Sequence, residues 1–220
     1  MRKIVGSLLY AYLMAASLAY GEDAPAVQRL TGENYKNDQA TKGVVLFAVR
    51  WDRRWKCGEF ENAQLQGLAF DKIPNAKTED GAADLTVADA PLLMTKPAFE
   101  NYAYLVEPGE YALSGFQIKA ARSVTDIHTL SGSRSSLIKD GKPEGGSFTV
   151  SAGEIVYIGH FYLDCYRQPI PWRFYAQGHK SFDMFLEDIR KAYPMLDVKN
   201  AQFRLFNTKE FGEPYQLPSE

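Results

Sequence analysis

Nine consecutive residues, Ile155 to Leu163 (IVYIGHFYL), constrain this chain more than any other stretch. Successive side chains of a strand point to opposite faces, so a run that is apolar at odd and even positions alike must be covered on both sides. It predicts a central, buried strand. An uninterrupted pleat puts Ile155, Tyr157, Gly159, Phe161 and Leu163 on one face and Val156, Ile158, His160 and Tyr162 on the other. Phe148 and Val150 lead into it through Ser151-Ala-Gly-Glu154, so Ser147–Leu163 reads as strand, turn, strand. An earlier stretch, Tyr104–Ile118, has the same layout around Glu107-Pro-Gly-Glu110. There Pro108 fixes φ and Gly109 supplies the positive φ of a type II turn. Both units predict β-hairpins.

The other strands are expected around this pair. Gly43–Trp51 (GVVLFAVRW) is a continuous apolar run bounded by Asp52-Arg53-Arg54 and reads as a buried strand. Gln64–Ile73 is a weaker strand ended by Pro74-Asn75, and 76–97 reads as a long surface loop. A short ribbon is expected near His128–Leu137, and further strands at Trp172–Gln177 and Ala201–Asn207. One helix stands out, Ser181–Tyr193, where Phe182, Phe185, Leu186, Ile189 and Tyr193 recur at helical spacing. Ser181 suits the N-cap, Arg190 and Lys191 suit the last turn, and Pro194 stops it. The expected fold is mainly β: an antiparallel β-sandwich-like domain over 43–207, with the amphipathic helix 181–193 packed on the sheet. Polar residues 22–42 are expected to be a flexible lead-in and 208–220 a tail.

Ahead of this domain, Arg2 and Lys3 precede an apolar run, Ile4–Leu18, which ends with small residues at Ala19 and Gly21. This is the pattern of a signal peptide over residues 1–21, cleaved after Gly21, and it places the mature chain in the periplasm or outside the cell. An uncleaved membrane anchor carrying an external β domain is the alternative. Cleavage removes two basic residues and takes the formal charge from −2 to −4. Nucleic acid is thereby excluded as a partner, because phosphate binding needs a basic face. Two cysteines, Cys57 and Cys165, both lie in the mature part, and in an oxidising compartment they are expected to pair.

Val106-Glu-Pro-Gly-Glu-Tyr-Ala-Leu113, followed by Phe148-Thr-Val-Ser-Ala-Gly-Glu-Ile-Val-Tyr-Ile-Gly159, resembles two turn motifs of small bacterial envelope proteins. The pattern is similar to DUF2846-type proteins and to carboxypeptidase-regulatory-like β-sandwich modules, over about residues 99–163. The resemblance implies a β-sandwich in the cell envelope and a non-catalytic role. It departs from many such proteins in lacking a lipid-anchoring Cys after the apolar leader.

Chemistry offers few candidates. His128, His160, His179, Asp164 and the cysteines show no HxH, HExxH or CxxC spacing, and no metal or other cofactor is expected. There is no G-x-S-x-G elbow. Cys165 with His160 or His179 makes a thiolate–imidazole pair the catalytic alternative, as a small periplasmic hydrolase or thiol enzyme. Binding is the leading reading. Trp51, Arg53 and Trp55 cluster near Cys57, and Tyr166, Trp172 and Arg173 near Cys165. A Cys57–Cys165 bond draws the two clusters together, and aromatic faces interleaved with arginine suit an envelope protein, a peptide or a glycan. For the rings themselves the favoured reading is structural: they fill the sandwich core and its rim with arginine stacked over them, and the binding surface is the sharper alternative.

Overall fold

The computed structural model describes residues 27–74, 77–91 and 97–219. The signal peptide expected over residues 1–21 lies outside the described residues. In chain order the elements are β1 (Val27–Arg29), α1 (Gly32–Asp38), β2 (Gly43–Arg50), β3 (Arg54–Cys57), β4 (Phe60–Ile73), β5 (Leu85–Val87) and β6 (Phe99–Val106). They continue with β7 (Gly109–Ala121), β8 (Ile127–Gly132), α2 (Arg134–Leu137), β9 (Ser147–Val150), β10 (Ile155–Asp164), β11 (Ile170–Phe174), α3 (Gly178–Ala192) and β12 (Gln202–Phe203).

Two sheets form a sandwich. The first runs β1-β6-β2-β10-β11 with β12 also on β10; the second runs β3-β4-β7-β8, with β5 on β4 and β9 on β7. Most pairings are antiparallel, but β10 is parallel both to β2 and to β12. The period-2 pattern of β2 divides cleanly between two apolar layers. Val45, Phe47 and Val49 enter the core between the sheets, while Val44, Leu46 and Ala48 meet the layer beneath α3. From α3 that layer receives Phe182, Phe185, Ile189 and Tyr193, as the helical spacing predicts. The helix starts at Gly178 rather than after Ser181, with Gln177 at the N-cap and no side chain capping it.

The two expected hairpins are corrected. β6 belongs to the first sheet and β7 to the second, so Glu107–Pro108 carries the chain across the sandwich instead of folding it back. The Ser151–Glu154 turn does the same between β9 and β10. A tight turn specifies a change of direction; which sheet each arm joins is set by the apolar faces that the arms must cover.

Nor is 27–42 an unstructured lead-in. β1 pairs with β6, and α1 is capped by Thr31, whose Oγ1 accepts from Asn34 N (3.2 Å) while Asn34 Oδ1 accepts from Thr31 N (2.8 Å). Asn at the third helical position replaces the usual Glu or Gln of this box, which hid it from the pattern. The tail is also packed: Phe211 is buried, and Arg173 N donates to Phe211 O (2.6 Å). Between them, Gln202–Asn207 closes one edge of the sandwich. It begins parallel to β10 in the first sheet and ends with Asn207 and Ser147 exchanging backbone bonds (2.7 and 2.9 Å) with the second.

Candidate functional site

Cys57 ends β3 in the second sheet, Cys165 follows β10 in the first, and the disulfide between them ties the two sheets at one end of the sandwich. Their Cα atoms are 4.4 Å apart, and Gly58 N donates to Cys165 O (3.1 Å). The sequence segments flanking both cysteines therefore meet, as the clustering requires, but their side chains go to different places.

Trp51 is core. It is 1% exposed, and its indole N–H donates to Tyr102 OH (2.8 Å), which in turn donates to the Glu100 carboxylate (3.1 Å). Burial raises the Tyr102 phenol well above its ordinary pKa. Arg173 is core as well, at 2% exposure, and Trp172 is half-buried. Only Arg53, Trp55 and Tyr166 face solvent: Trp55 is 60% exposed with the Arg53 guanidinium 5.7 Å over its ring, and Tyr166 is 85% exposed. For Trp51 and Arg173 the surface assignment is thus corrected, because inward alternation on an edge of each apolar run claims them first.

The candidate thiol pair is dispersed. Cys165 is bonded to Cys57, which leaves no thiolate. His179 Nε2 donates to Pro218 O (2.8 Å). His160 lies among the rings of Phe99 (5.0 Å), Phe185 (5.2 Å) and Tyr157 (5.4 Å), with no hydrogen-bond partner for Nε2 among the described residues. Burial in this apolar cage lowers its pKa to about 4, so the ring is neutral near pH 7. The described residues hold no group of three His, Cys, Asp or Glu side chains placed to bind a metal.

Two features escaped the sequence reading. Asp71 on β4 is fully buried and receives Arg134 Nε (2.7 Å), Asp84 N (3.1 Å) and Lys77 Nζ (3.3 Å). Arg134 also donates to the carbonyls of Thr78, Glu79 (2.9 Å) and Gly81 (2.9 Å), and so pins the loop before β5. Nothing local marks this pairing, since its partners are 63 residues apart. The second feature is a cavity of about 480 Å³ between Arg173 and the C-terminal segment. Its signal was available in the aromatic residues of the tail, Phe211 and Tyr215, which a solvated tail does not need.

Comparison of the chain with protein-family models, curated proteins and solved structures finds no match.

Proposed function

We propose that this is an exported envelope protein that acts by binding or assembly without catalysis, and that its disulfide-tied end is the binding face. The observation that carries the reading is the exposure of Trp55 and Tyr166 on the two segments that the disulfide joins. Large aromatic rings left in water beside an arginine are the composition of a recognition surface, and the crosslink fixes their backbones before a partner arrives. A disulfide between the sheets also suits an oxidising compartment, because thiols in the cytosol are kept reduced. The turn motifs shared with envelope β-sandwich modules support the same location. Among the described residues no helix is long and apolar enough to cross a membrane. Partner chemistry follows from the face: an envelope protein, a peptide or a glycan.

The test is in vivo photo-crosslinking of the full chain expressed with its leader. A photoreactive residue replaces Trp55 in one strain and Asp183, on the exposed side of α3, in another. A discrete adduct from position 55 and none from 183 is the expected result, with a mature chain that begins at Glu22. Absence of an adduct at 55 removes the binding face, and retention of residues 1–21 replaces export with anchoring.

A further inference from the structure

β11 and β12 both pair with the same side of β10, β12 at Val156 and Tyr157 and β11 from His160 to Asp164. The chain crosses the gap between them, where Phe206 N donates to Ile158 O (2.9 Å). At this gap lies the cavity of about 480 Å³. Its two buried lining residues, Arg173 and Phe206, form the floor, and exposed Arg204, Asn207, Pro214 and Gln216 form the rim. Two arginines line it and no carboxylate does.

Arg173 is the unusual member. Paired with Phe161, it points to the inner side of the first sheet, where a guanidinium has lost its hydration. Among the described residues, one nitrogen, Nη2, donates to Glu213 O, while Nε and Nη1 are buried and donate to nothing. Arg204 is already neutralised by Glu154 (2.6 Å) on the far side of the rim. The Glu213 charge and the Tyr175 ring, 5.4 Å from the guanidinium, offset part of its charge but accept neither free N–H. Buried N–H groups of a cation left without acceptors are costly, and an anion that supplies the acceptors offsets that cost.

We infer that this cavity binds a small organic carboxylate, its head on Arg173 and its apolar body against the rings of Phe203, Phe206 and Tyr215. The volume suits a ligand of that size, and the lining joins three aromatic rings to a guanidinium at the base and polar groups at the rim, so it offers both a charged and an apolar contact. The cavity is separate from the disulfide-tied end, and the inference stands or falls independently of that reading.

The probes are phenylacetate, decanoate and phenylacetamide, the neutral counterpart of the first, titrated into the full mature chain by calorimetry in a zwitterionic buffer. Both carboxylates are expected to bind saturably and the amide not. Arg173→Met is expected to weaken carboxylate binding by about tenfold to a hundredfold, the contribution of a charge-assisted bond. Arg204→Gln, whose parent charge is already paired, should change it by less than about threefold. Because Arg173→Met removes a buried group and can lose the fold, the Arg173 Nε–H resonance of the unaltered chain, assigned by its absence from Arg173→Lys, provides a second readout and should move on titration. Equal binding of amide and carboxylate overturns the inference by making the cavity a neutral apolar one. So does a motionless Arg173 signal, or no binding by either carboxylate, either of which reduces Arg173 to a structural tie for the C-terminal segment.

Discussion

Replacing Arg134 by alanine tests whether the Asp71 site holds the loop before β5. The substitution removes the 2.7 Å bond to a fully buried carboxylate and strands three backbone carbonyls, at Thr78, Glu79 and Gly81. Breaking a buried pair by deleting one partner costs about 3 to 5 kcal/mol, because the remaining charge is left uncompensated. Lys77 Nζ, 3.3 Å from Asp71, and the Asp84 N–H stay behind, which places Arg134→Ala near the lower end, about 3 kcal/mol. In urea this is a fall in midpoint of about 1 to 1.5 M for a chain of this size. The loss must also depend on pH. Burial pushes the Asp71 carboxyl up, but the hydrogen bonds from Arg134 and Asp84 N outweigh it and hold the group below the usual carboxylate range. A depressed folded pKa gives stability that is present above about pH 4 and disappears as pH falls through the folded value. The gap between the unaltered chain and Arg134→Ala should therefore be widest near pH 7 and narrow below about pH 4. Adding Asp71→Asn to Arg134→Ala should recover part of the loss at pH 7, since it removes the stranded charge. A loss under about 1 kcal/mol, or a gap that ignores pH, refutes the argument and makes the site an ordinary surface pair.

Three other outcomes are expected. Cys57→Ala with Cys165→Ala frees a loop of 108 residues and should lower stability by about 4 to 5 kcal/mol on the chain-entropy model, read by urea unfolding; an unchanged midpoint would show that the crosslink constrains little. His160 should titrate near pH 4 by imidazole NMR. Its unfolded counterpart takes up a proton near pH 6.5 that the folded ring refuses, so stability should decline from about pH 6.5 toward 4; His160→Phe should flatten that limb, and a midpoint near 6.5 would mean a hydrated ring. Trp51→Ala should cost about 3 to 5 kcal/mol and Trp55→Ala no more than about 0.5 kcal/mol by thermal or urea unfolding, and the reverse order would interchange core and surface.

The strands that were legible were those whose burial is written in composition. β2 and β10 are apolar on both faces, and both lie centrally in the first sheet with a second layer outside it. The amphipathic helix was legible for the same reason. Pairing was not, because period-2 alternation fixes the faces of a strand but not its neighbour: the same Pro108-Gly109 signal serves a hairpin and a crossing between sheets. Of the candidate site, the meeting of the Trp55 and Tyr166 segments followed from the expected pairing of the two cysteines. The Asp71–Arg134 pairing and the Arg173 cavity depend on contacts between distant segments, for which a single chain carries no local pattern.

The faces of β10 show how one residue changes such a reading. An uninterrupted pleat puts His160 with Val156 and Ile158, between the sheets. Against β2, however, Tyr157 pairs with Leu46 and His160 with Ala48, so β10 spends one residue more than its partner. That bulge reverses the alternation: Phe161 and Leu163 join Val156 and Ile158 in the inner core, while His160 joins Tyr157 beneath α3. Gly159 makes it with φ +116°, a conformation that other residues rarely adopt. A Cβ there would also stand 2.7 Å from Arg173 Cδ and 2.8 Å from Phe174 O. The one glycine therefore turns His160 into its aromatic cage and clears the space through which the Arg173 stem reaches the inner layer. An arginine that the pattern assigned to an exposed aromatic cluster becomes a buried cation because the strand beside it carries no side chain at that point.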